Sequence, residues 1–93
     1  MEAETFANVF DALADTPAEA ANLKARAGLM TAVRERVRSW DVPQAAAAAR
    51  LGVTRPRLND LLRGKLAKFS LDALVNLAAG AGLVLEIRVA EAA

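Results

Sequence analysis

Apolar residues recur along this chain at two spacings, and the point where the spacing changes separates its end from the rest. Phe6, Val9, Phe10 and Leu13 stand at i, i+3, i+4 and i+7, which predicts one face of a short helix. Thr16-Pro17-Ala18-Glu19 predicts the start of a longer one, with Thr16 as N-cap, Pro17 in the first helical position and Glu19 completing a capping box. Its apolar stripe is Leu23, Ala27, Met30, Val33, Val37 and Trp40, and it runs to about Ser39, interrupted only by Gly28. Asp41-Val42-Pro43 reads as a turn. Gln44 to Leu51 predicts a second helix closed by Gly52, and Thr54 caps a third that runs to about Arg63 and stops at Gly64, with Pro56 tolerated in its first turn. Ser70 caps a fourth over Leu71–Ala79, with Leu71, Leu74, Leu77 and Ala78 facing inward and Gly80 and Gly82 closing it. From Leu83 the period falls to two. Leu83, Leu85, Ile87 and Val89 alternate with Val84, Glu86 and Arg88, the pattern of a half-buried strand. Residues 1–82 offer no second strand to pair with it, so the expected partner is the same strand of another subunit.

The expected fold is therefore mainly α: a compact helix bundle with one C-terminal β-strand pairing across a dimer. Three segments follow, an acidic helical front over residues 1–22, a helical domain over 23–82, and a strand and tail over 83–93. A chain of 93 residues supports one such core. Alanine fills 23 positions, which favours short helices packed closely. The absence of cysteine and histidine removes thiolate chemistry, the usual neutral-pH base and the commonest transition-metal ligand, so neither catalysis, a metal nor a cofactor is expected. The longest uncharged apolar run, Leu77 to Leu85, is nine residues against the roughly 20 a membrane helix needs. With an acidic N-terminus unlike a secretory leader, the expected location is the cytoplasm, with no membrane partner.

Net charge is +1, but its distribution is uneven. Residues 1–22 hold five acids and no base, residues 23–68 hold eleven bases against three acids, and residues 69–93 hold one base against three acids. A basic middle suits a polyanion, and an acidic front suits a basic partner.

A helix-turn-helix that reads DNA needs a small residue where its helices cross, a glycine in the turn and spaced apolar residues that lock the second helix. Ala48, Gly52, Val53, Leu58 and Leu61 meet that need. The stretch from Gln44 to Lys65, followed by Phe69 to Gly82, resembles the Cro/repressor-type, XRE-like family over roughly residues 29–82. Ala45 stands where a glutamate is frequent in that family, and Pro43 where a small hydroxyl cap is usual. The resemblance implies that the third helix enters the major groove, with Thr54, Arg55, Pro56 and Asn59 towards base edges. Gln44, Arg57, Arg63, Lys65 and Lys68 are then better placed for phosphates.

The layout of the whole chain is similar to HigA-like antitoxins, which neutralise a RelE-like, mRNA-cleaving toxin and repress their own operon. That resemblance implies double-stranded operator DNA and a basic toxin as partners, with Phe6, Val9, Phe10 and Leu13 as toxin contacts and Leu83, Leu85, Ile87 and Val89 as the homodimer seam. A stand-alone XRE-like repressor, of phage origin for instance, and a helical module that binds only protein are the competing readings. In a bland reading, Phe6 and Phe10 fold back onto the core.

Overall fold

The computed structural model describes residues 15–92. The expected first helix, with Phe6, Val9, Phe10 and Leu13, lies outside the described residues. The described elements are α1 (Pro17–Ser39), α2 (Gln44–Leu51), α3 (Arg55–Leu62), a 3-10 turn (Leu66–Lys68) and α4 (Leu71–Gly80). Among the described residues no helix is long and apolar enough to cross a membrane.

Local chemistry sets the helix ends. Thr16 Oγ1 accepts the Glu19 N–H at 3.1 Å, satisfying one of the four N-terminal N–H groups that a helix leaves without a partner. The capping box is displaced by one residue, because the Glu19 carboxylate accepts the N–H of Asp15 at 3.1 Å, not that of Thr16. Thr54 and Ser70 cap α3 and α4 in the same way, through the N–H groups of Arg57 and Ala73. Gly52 ends α2 in the left-handed region at φ 74°, where a β-carbon would be strained. The turn between α1 and α2 uses the same region at Asp41, φ 50°, one of the few side chains that tolerate it.

The core gathers one face of each helix. Val33 of α1, Leu58 and Leu61 of α3, Phe69 and Leu74 of α4 and its approach are its largest fully buried side chains. Of the stripe expected on α1, Met30, Val33 and Val37 are buried, while Leu23, Ala27 and Trp40 are half-buried. On α4, Leu74, Leu77 and Ala78 face inward, whereas Leu71 is half-buried beside the cap. Ala47 and Ala48 of α2 are 2% and 3% exposed, which is where alanine serves the fold: larger side chains there would hold α2 off its neighbours.

Two arginines on α1 brace α4 at its ends. Arg26 donates through Nη1 to the carbonyls of Leu66 and Phe69, each at 3.3 Å, just before α4 begins. Arg36 donates through Nε to the carbonyl of Ala81 at 3.1 Å, just after it ends. Ten residues of helix rise about 15 Å, so the spacing of the two arginines matches the length of α4. The two helices therefore run side by side in the same sense.

The expected strand over 83–89 is not formed. Residues 83–92 carry neither helix nor strand, and no strand occurs among the described residues. The cause is the absence of a ladder partner. Leu83 donates its N–H to the Ala78 carbonyl at 2.9 Å and packs on the core, but among the described residues no backbone group bonds the residues that follow.

Candidate nucleic-acid interface

The pair α2–α3 is a helix-turn-helix joined by Gly52-Val53-Thr54. The turn is closed from within, since the N–H of Gly52 bonds the Ala49 carbonyl at 3.2 Å and that of Val53 bonds the Ala48 carbonyl at 3.0 Å. Leu58 and Leu61, 0% and 1% exposed, bury one face of α3 and so fix which face looks outward. Thr54, Arg55 and Pro56 are exposed at the entrance to that helix, and Asn59, one turn on, is half-buried beside them. Pro56 sits in the first turn, where its missing N–H removes nothing from the helix ladder. Of these four residues, expected at base edges, three are thus exposed at the N-cap and first turn of α3 and the fourth is half-buried one turn on.

The residues expected at phosphates divide into three groups. Gln44 and Arg63 are exposed, at the start of α2 and the end of α3. The α2 N-cap is Pro43, which makes no side-chain bond to the helix, so the first N–H groups of α2 have no acceptor within it. Arg38 lines the same cleft as Gln44. The uncapped N-terminus, an amide and a guanidinium favour an anion in that cleft, while the Asp41 carboxylate that also lines it opposes one.

Arg57 is different. Its Nη1 donates to the Lys68 carbonyl at 2.7 Å, and its guanidinium lies 3.9 Å from the centre of the Phe69 ring. Half-buried and bonded within the chain, it ties the first turn of α3 to the segment ahead of α4. Lys65 and Lys68 form the third group. Both reach one carboxylate, Asp60, with Nζ at 3.3 Å from Oδ1 and 3.6 Å from Oδ2 respectively. Partial desolvation pushes the Asp60 carboxyl up, but the hydrogen bond from Lys65 and the charges of Lys68 and Lys65 outweigh it, leaving its pKa below the ordinary aspartate value. Asp60 is a member of the site that sequence reasoning passed over. Its signal was present, an acid five and eight residues ahead of two lysines across a glycine turn, but that spacing is not a helical one.

Elsewhere three arginines of the basic middle make contacts within the chain. Arg26 and Arg36 hold backbone carbonyls, and Arg50 lies over the Trp40 ring at 4.1 Å. Arg36 and Arg50 remain exposed while making these contacts, and Arg26 is half-buried.

Compared with curated proteins, the sequence gives no significant match. Residues 12–90 match the family described as a helix-turn-helix domain, which spans every element above. With that match covering most of its length, the chain belongs to the helix-turn-helix domain family of DNA-binding proteins.

Proposed function

We propose that this protein is an XRE-like, sequence-specific DNA-binding antitoxin that neutralises a RelE/HigB-like, mRNA-cleaving toxin and, as a homodimer, represses its own operon. The observation that carries the DNA reading is the exposure of Thr54, Arg55 and Pro56, with Asn59 half-buried one turn on, at the start of a helix whose other face is locked in the core by Leu58 and Leu61. A guanidinium suits guanine O6 and N7, and a carboxamide suits adenine N6 and N7. Gln44, Arg38 and Arg63 lie where a helix seated in the groove meets flanking phosphates, which set register without reading sequence. Two copies related by a two-fold axis would set their reading helices about 34 Å apart on a near-palindromic site.

The antitoxin reading rests on charge. An enzyme that cleaves mRNA must bind a polyanion and tends to be basic, and residues 1–22 carry five acids and no base. The test is co-expression with the proteins encoded by the genes on either side of this one, together with binding to the DNA upstream of it. The full chain is expected to protect growth and to prefer that DNA over a shuffled sequence. A chain lacking residues 1–14 keeps the Thr16 cap, and is expected to retain DNA binding but lose protection. If the full chain binds the upstream DNA yet protects against nothing encoded nearby, the antitoxin half fails and a stand-alone repressor remains.

A further inference from the structure

Val84, Leu85, Ile87 and Val89 are four of the five large apolar side chains that stand exposed among the described residues, and Ile87 and Val89 are 78% and 88% exposed. Among the described residues, the backbone of 84–92 makes no hydrogen bond. Exposed alternating apolar groups on an unsatisfied backbone describe an edge that lacks its neighbour. The segment also has a fixed origin, since Leu83 is packed on the core and bonded to Ala78. In an extended chain Leu83, Leu85, Ile87 and Val89 share one face, and Val84, Glu86 and Arg88 share the other.

The charged face selects the partner and the register. Glu86 and Arg88 stand one on each side of Ile87. We propose that this tail pairs antiparallel with the tail of a second copy of the chain, with the two-fold axis at Ile87, so that Glu86 of each copy lies across from Arg88 of the other. The proposal rests on the homodimer reading above and adds to it the orientation, the register and the residues that enforce them. In this register Leu85 lies across from Val89, Ile87 meets its own copy, both ion pairs form on the opposite face, and the exposed Glu91 falls across from Leu83 only at the outer end of the ribbon. Competing arrangements fail on charge or on face. Parallel in-register pairing sets Glu86 against Glu86 and Arg88 against Arg88. Antiparallel pairing centred on residue 86 or 88 again opposes like charges. A shift by one residue mixes charged and apolar side chains on each face. The pattern is thus self-complementary in a single register.

The test is a charge exchange read by sedimentation at roughly 50 mM salt, where screening is weak. Glu86→Arg and Arg88→Glu each set like charges together on both sides of the two-fold axis, and each is expected to raise the dimer dissociation constant by about ten-fold. Mixing the two variants sets an all-basic tail opposite an all-acidic one, and the mixture is expected to form heterodimers about as tightly as the wild type. Helical circular dichroism of each variant checks that the domain is intact. A wild-type chain that stays monomeric overturns the homodimer reading itself. A wild-type dimer whose affinity neither substitution alters, or whose weakened variants do not recover on mixing, overturns the register while the dimer stands.

Discussion

Helices α1 and α3 both carry arginines, yet they direct them differently. On α1, Arg26 and Arg36 reach across to backbone carbonyls at the two ends of α4. On α3, Arg55 is exposed, while Arg57, two positions on, folds against Phe69 and the Lys68 carbonyl. Residues two apart on a helix point in different directions, so a single turn of α3 holds one arginine offered to a ligand and one used as a brace. The difference teaches that a tally of positive charge does not measure a DNA-binding surface. Arg26, Arg36 and Arg57 are held by bonds within the chain, whereas Arg55 on α3 is left exposed with no such bond among the described residues.

That contrast breaks most visibly at Arg57. Arg57→Ala removes a charged hydrogen bond and a cation–π contact, and is expected to lower stability by about 2 kcal/mol. The melting temperature should then fall by roughly 8–16 °C, measured by calorimetry. The salt dependence of DNA binding should be unchanged; a slope shallower by about one unit would show that Arg57 meets a phosphate instead. Arg55→Ala should do the opposite. Stability stays within about 0.5 kcal/mol, while affinity for the upstream DNA falls by about 1–2 kcal/mol at fixed salt, with relaxed preference at one base pair. Equal affinity for wild type and variant would remove Arg55 from the reading edge.

The smallest effect is expected at Asp60. Asp60→Asn releases Lys65 and Lys68 from their shared carboxylate, so binding to non-specific DNA should tighten modestly and depend more steeply on salt. Acid reports the same cluster. The folded pKa of Asp60 is depressed, so its contribution to stability is present above the ordinary aspartate pKa of 3.8 and is lost as pH falls through the lower folded value. Between neutral pH and that range the variant and wild type should differ little in pH dependence.

How much of this was legible in the sequence depended on range. Thr16, Thr54 and Ser70 cap their helices as expected because a cap is a contract between residues three apart. Gly52 marked the turn for an equally local reason, its backbone angle. The roles of Arg26, Arg36 and Arg57 were not legible, because their acceptors are carbonyls 40, 43, 45 and 11 residues away, brought near only when the helices dock. At the tail, period two told which side chains share a face, but an alternating pattern does not contain the strand it pairs with. The same limit applied to Asp60, whose two lysines reach it across a turn after the helix has ended.

The two arginine braces also bear on how the domain is assembled. Synthesis runs from the N-terminus, so α1 is polymerised before the carbonyls of Leu66, Phe69 and Ala81 exist, and Arg26 and Arg36 begin life without their acceptors. The helix-turn-helix between them must be synthesised before either brace can close. Folding is thereby deferred until the reading unit is nearly complete, and a chain cut short within α3 would lack both clasps. In the finished protein the same bonds join the first and last helices into one opening unit. Amides in the second half of α1 and in α4 should accordingly exchange with solvent at a common rate, as a single foldon that encloses the DNA-reading pair.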